Sequence, residues 1–150
     1  MPPRATELHH ISPYLLIWHA FDRAAKTELF STAVISNDGT ILIDPIALTD
    51  PAEQELNESG RIESIILTNV NHVRAAISFR ERYAAPIFAA IELSKEVPNA
   101  QAVNDATAIH NLRIIGLDGA ARCKKRSRIS LPGRRAPAQN QRVPARKRLQ

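Results

Sequence analysis

The apolar positions fall into short runs separated by turn-forming residues, and their spacing changes from strand-like to helix-like about a third of the way along the chain. Tyr14 to Trp18 is the first run; Leu29 to Ile35 and Thr40 to Ile43 then flank Asn37-Asp38-Gly39. Asp-Gly between two apolar runs predicts a tight hairpin, because such turns need positive φ, which glycine accepts freely and Asn or Asp tolerates. The paired strands are expected to end at Asp44-Pro45.

Helical signals follow. Asp50-Pro51-Ala52-Glu53 has an N-cap acid, a proline at the first helical position and a glutamate three residues after the cap, and Ser59-Gly60 offers a glycine stop. Ile62 to Thr68 carries Ile65, Ile66 and Leu67 in succession, the pattern of a strand covered on both faces. Asn71 is placed to cap a helix from His72 to about Tyr83, which Ala85-Pro86 would end. Ile87 to Ala90 reads as a short strand, Ile91 to Lys95 as one helical turn, and Leu112 to Leu117 as a further strand. A hairpin followed by alternating helix and strand predicts an α/β domain of layered α+β type, with helices packed on a sheet.

Charge divides the chain. Residues 1–121 hold nine basic and all fifteen acidic residues, a net of −6, whereas residues 122–150 hold eleven basic and no acidic ones. Pro132, Pro137 and Pro144 interrupt that tail, which has too few large apolar groups to offset the entropy of ordering. Two regions are therefore expected: a mildly acidic folded body over 1–121 and a disordered polybasic tail over 122–150.

Composition adds three limits. The chain is 44% hydrophobic but only 5% aromatic, so its core must be aliphatic. It has no run of about 18 uncharged apolar residues, and Met-Pro-Pro-Arg at the start is not a signal segment, which predicts a cytoplasmic protein without a membrane partner. The single Cys123 excludes an internal disulfide and a cysteine-based zinc site, and reads as a bystander thiol.

The strand ending Thr40-Ile41-Leu42-Ile43-Asp44, the helix after it, and Ile65-Ile66-Leu67-Thr68 leading into a second helix together resemble the metallo-β-lactamase-fold hydrolases. The resemblance spans about residues 10 to 120 and implies the amino-terminal half of a metallo-β-lactamase-like αββα sandwich. In that family the second strand ends in Thr followed by HxHxDH, whose side chains bind one or two zinc ions. Zinc takes imidazole, thiolate or carboxylate donors and lowers the pKa of bound water to about 7. With Thr68 on the family's threonine, the four ligand positions carry Asn69, Asn71, Val73 and Arg74. An amide is a weak neutral donor, valine has none, and a guanidinium repels a cation. His72 falls on a spacer position and is expected at the surface or as a cap. The family's later Pro-Gly-His segment corresponds to Asp118-Gly119-Ala120, with alanine in place of the ligand. Asp44 matches an aspartate that supports the family's metal site from outside the ligand set; without metal it reads as a strand-end turn acid, and Thr68 as a strand-end hydroxyl.

The expectation is therefore a degenerate member of the fold, with no catalytic residue, no metal and no cofactor. Asp44, Asn69, Asn71, His72 and Arg74 remain as residual site positions. The loss of every acid after Ala121 also fits a frameshifted or truncated product. An alternative is a zinc-dependent hydrolase with an unfamiliar ligand set, joining His72 and Asp44 to His9, His10 or His110. His9 and His10 are adjacent, which sends them to opposite faces of a strand, and His19 and His110 lack a spaced partner. A third reading gives the basic tail weak, salt-sensitive binding to nucleic acid or another anion, because it has cations but no aromatic residue for base stacking. A non-catalytic variant lets Arg74 take an anion near a helix N-terminus. A half-sandwich would leave sheet surface uncovered and favour self-association.

Overall fold

The computed structural model describes residues 2–104, 107–109, 112–117 and 126–130. In chain order the elements are β1 (Arg4–Ala5), β2 (His9–Ser12), β3 (Leu15–Asp22), β4 (Thr27–Ser36), β5 (Gly39–Ile43), β6 (Ala47–Leu48), α1 (Asp50–Glu58) and β7 (Ile62–Leu67). A 3-10 turn (Val70–His72) follows, then α2 (Ala76–Tyr83), β8 (Ile87–Ala90), α3 (Ile91–Ser94), β9 (Gln101–Val103), β10 (Ala108–Ile109), β11 (Leu112–Leu117) and β12 (Arg126–Ser130). Seven strands form one mixed sheet in the order β2-β3-β4-β5-β7-β8-β9. Its first four strands pair antiparallel, and from β5 onward the pairs are parallel. β10, β11 and β12 form a second, antiparallel sheet, while β1 and β6 make a two-residue parallel pair. The layered α/β architecture is the expected one.

The predicted hairpin is present between β4 and β5, closing at Ser36↔Gly39. Its positive φ is carried by Gly39 at +129° and not by Asn37 or Asp38. A β-carbon at Gly39 would come 2.8 Å from the Arg61 carbonyl oxygen, so both conformation and space require glycine there. The first helix stops where expected, with Ser59 at the C-cap and Gly60 at φ +142°.

Two local expectations are corrected. Thr49, not Asp50, is the N-cap of α1, and the Glu53 carboxylate turns inward to Arg82 and Tyr83 instead of back to the cap. In the second helical segment Asn69, not Asn71, is the cap, and α2 begins at Ala76, four residues later than predicted. The reason is local: the Asn69 side-chain oxygen accepts the Asn71 N–H at 2.8 Å, which closes a separate 3-10 turn first.

One strand falls within the residues expected to form the tail. Arg126–Ser130 is a strand paired with β11 from Arg113↔Ser130 to Leu117↔Arg126. Backbone hydrogen bonds along an open strand edge need no apolar run, which is why apolar patterning gives no sign of it. Residues 131–150, His110, Asp118-Gly119-Ala120 and Cys123 lie outside the described residues.

The sheet separates two apolar layers. On one face Leu16, Trp18, Ala33, Leu42, Ile65 and Ile87 meet Ala52 and Leu56 of α1, Ala76 and Phe79 of α2 and Leu93 of α3. On the other, Val34, Ile41, Ile66 and Val103 pack with Ile109 and Leu112 of the second sheet. At the β2–β4 end Ile11, Phe21 and Phe30 stay exposed, with the rings of His9, His19 and Phe30 stacked in a row at 5.5 Å spacings. Among the described residues no helix is long and apolar enough to cross a membrane.

Candidate functional site

The parallel pairing of β5 with β7 puts Ile43 beside Ile66, so the two strands end side by side and the turns that follow face each other. Asp44, the first residue after β5, is buried and takes φ +50°, a left-handed conformation that aspartate tolerates better than most residues. Ser31 of β4 holds this turn from beneath. Its hydroxyl donates to the Asp44 carbonyl at 2.8 Å and accepts the Ile46 N–H at 2.8 Å, and the Trp18 indole N–H donates to the Ile46 carbonyl at 3.0 Å.

Thus fixed, the Asp44 carboxylate reaches across to the end of β7. Oδ1 accepts the Thr68 backbone N–H at 2.8 Å. Oδ2 accepts the Thr68 hydroxyl, and His72 Nδ1 stands 2.7 Å from the same oxygen. An ionised carboxylate only accepts, so the proton on this side of the imidazole belongs to Nδ1. The His72 ring lies half-buried, its side chain 27% exposed. Asn69 Nδ2 stands 3.2 Å from Nδ1 and 3.0 Å from Nε2. A nitrogen nearly equidistant from both ring nitrogens cannot lie in the ring plane without striking Cε1. The amide therefore rests over the ring face and makes no in-plane hydrogen bond with either nitrogen.

Of the residual site positions, Asp44, Asn69 and His72 meet around Thr68. The other two do not. Asn71 is exposed and engages the site only through its backbone N–H. Arg74, at φ +30°, sends Nη1 to the Phe30 carbonyl at 3.1 Å. Burial pushes its guanidinium pKa down, against the longer-range pull of Asp44 and Asp22. Val73, with no donor, packs against the core. His72 corrects its expectation: it is not a surface or cap residue but points inward to Asp44. The other described histidines are elsewhere, His10 on Glu55 at 2.8 Å and His19 on Glu28 at 3.2 Å, with His9 stacked on His19.

Sequence reasoning missed Ser31 and Trp18 as supports of the Asp44 turn. A serine among the inward positions of β4 was the available signal, since a buried hydroxyl needs a partner.

The residues that the resemblance sets on the family's zinc positions do not fit zinc. The Asn69 oxygen is taken by a backbone N–H, Asn71 faces solvent, Val73 has no donor atom, and Arg74 is a cation. Among the described residues no group of three or more His, Cys, Asp and Glu side chains could hold a metal ion.

A mixed sheet between helices and a second sheet, with a polar cluster where two neighbouring strands end, is the plan of a metallo-β-lactamase fold. The sequence profile of the metallo-beta-lactamase superfamily matches residues 7–126, and the chain belongs to that superfamily. Among solved structures it is similar to a metallo-beta-lactamase from Pontibacter korlensis, at 17% identity and a TM-score of 0.64, covering 84% of this chain and 66% of that one. A metallo-beta-lactamase from Staphylococcus aureus subsp. aureus COL is similar at 13% identity and a TM-score of 0.48, over 69% of this chain and 33% of that one. The chain thus spans just under two thirds and one third of their lengths. No curated protein matches it.

Proposed function

We propose that this chain is a metal-free, non-hydrolytic member of the superfamily, in which side-chain hydrogen bonds hold the strand-end loop that zinc organises in the enzymes. The observation that carries this reading is the Asp44–Thr68–His72 cluster. Both carboxylate oxygens are engaged within the protein, and the one imidazole at the site turns its Nδ1 to that carboxylate. A zinc site instead keeps imidazole and carboxylate donors aimed at one point and a position open for water. Replacing imidazoles and a carboxylate by amides, an aliphatic chain and a guanidinium also reverses the electrostatics of the pocket, from one that attracts a cation to one that repels it.

The test is metal analysis of purified protein, paired with thermal unfolding in the presence of a chelator and of added zinc. The expected result is no stoichiometric metal and an unfolding temperature that neither treatment moves. Stoichiometric zinc lost in His72→Ala would favour the atypical zinc hydrolase instead. The switch in composition after Ala121 is part of the same proposal, as the mark of a shifted reading frame in GC-rich DNA. A family-like strand pattern in another frame past codon 121 supports that part, and its absence removes it.

A further inference from the structure

On the helix-packed side of the sheet, beside the turn that follows Asp44, α2 and the β1–β6 pair form a groove of about 240 Å³. Its walls mix charge with apolar surface: Arg4, Arg74 and Arg82 line it together with Leu29, Leu48 and Phe79. One carboxylate, Glu53, also lines it, and that group is already committed to Arg82 and to the Tyr83 hydroxyl, the latter at 2.5 Å. Neither of the other two cations makes an ion pair among the described residues, and Arg74 feels Asp44 and Asp22 only at longer range. Arg4 makes no ion pair or side-chain hydrogen bond among the described residues. Arg74 spends one of its five N–H groups on the Phe30 carbonyl and has no carboxylate within ion-pair distance.

Arg4 is exposed, but Arg74 is held partly out of water without a close counter-charge, which is unfavourable, and an anion would relieve that cost. The fork of N–H groups suits the paired oxygens of a carboxylate or phosphate, and the apolar lining suits a short hydrocarbon or ring. The volume lies below that of drug-sized pockets, which limits the occupant to a small molecule. We infer that the groove binds a small organic oxyanion, a carboxylate or phosphate monoester on a short apolar body, with Arg74 and Arg4 taking the oxygens and Phe79 and Leu29 the apolar part. Arg74 thereby acquires a use at the position where the superfamily places a metal-binding histidine.

Titration calorimetry of the full chain with octanoate, phenyl phosphate and inorganic phosphate tests this. Saturable one-to-one binding of octanoate or phenyl phosphate is expected, with inorganic phosphate much weaker because it lacks the apolar part. A preference for octanoate identifies a carboxylate ligand, and a preference for phenyl phosphate identifies a phosphate monoester. Arg74→Gln should weaken binding about tenfold or more. Ser78→Tyr, at an exposed groove position, should do the same by filling the space while leaving every arginine in place. Binding of neither organic probe overturns the inference. So does binding that survives both substitutions, or that disappears when Lys147 and Arg148 are changed to Gln, since the cations of residues 122–150 would then be the site. The inference stands apart from the metal-free reading: a zinc-loaded protein with a working groove would sink only the latter.

Discussion

His72 and Asp44, 28 residues apart in sequence, meet through His72 Nδ1 and Asp44 Oδ2 at 2.7 Å where β5 and β7 end together. The contact joins the turn after β5 to the 3-10 turn after β7, and Thr68 sits between them on the same carboxylate. Hydrogen bonds to a charged group contribute about 1.5–3 kcal/mol each, and an unpaired buried partner costs about 1–3 kcal/mol. The cluster is thus large enough to hold the loop.

The side-chain and backbone contributions of Asp44 can be separated. Asn accepts left-handed φ as readily as Asp, so Asp44→Asn keeps the turn and loses one acceptor; a cost of about 1–2 kcal/mol is expected in urea unfolding. Asp44→Ala loses both acceptors and adds left-handed strain, and should cost at least about 1 kcal/mol more. Stability of Asp44→Asn within about 0.5 kcal/mol of the parent would show that the carboxylate does not hold the loop.

Pairing should also appear as coupling. In a double-mutant cycle with Asp44→Asn and His72→Phe, the interaction energy is expected between about 0.5 and 3 kcal/mol. Strict additivity would mean that the two side chains are neighbours without a stabilising contact.

The hairpin prediction concerns Gly39. Gly39→Ala would place a β-carbon against the rigid Arg61 carbonyl at a φ that L-residues avoid, and a loss of about 1–3 kcal/mol is expected by chemical denaturation. Stability within about 0.5 kcal/mol of the parent would contradict the close approach of the β4–β5 turn to the start of β7.

Alkaline stability should depend on Tyr83. Burial, and secondarily its hydrogen bond to Glu53, raise the phenol above its ordinary value of 10.0. A raised folded pKa means that the native state holds the proton more tightly than the unfolded chain. Its contribution is therefore complete below the ordinary value and is lost as pH rises through the folded one. Tyr83→Phe should be less stable than the parent near neutral pH, with the difference narrowing above pH 10. A constant difference across that range would rule out the linkage.

Much of the fold was legible because its signals are local. The glycine at the β4–β5 turn, the proline and glycine that bound α1, and the apolar runs of β7, β8 and β11 each act within a few residues. β1 and β6, two residues each, are too short for any period to register. Asn69 and Asn71 are equally good caps by type, and only the three-dimensional turn chooses between them. The candidate site was half legible. Spacing after Thr68 singled out Asn69, Asn71, Val73 and Arg74 for comparison with the family's ligands, but the inward turn of His72 depends on the register between β5 and β7, which no local pattern encodes. The Arg74 groove was still less accessible, because it joins β1, β4, β6 and α2.

The most direct measurement is the zinc content of freshly purified, unchelated protein, read together with the unfolding temperature after zinc is added. Metal far below one equivalent per chain and an unchanged unfolding temperature are expected. One tightly held zinc per chain, lost on substitution at the Thr68 strand end, would contradict the metal-free reading.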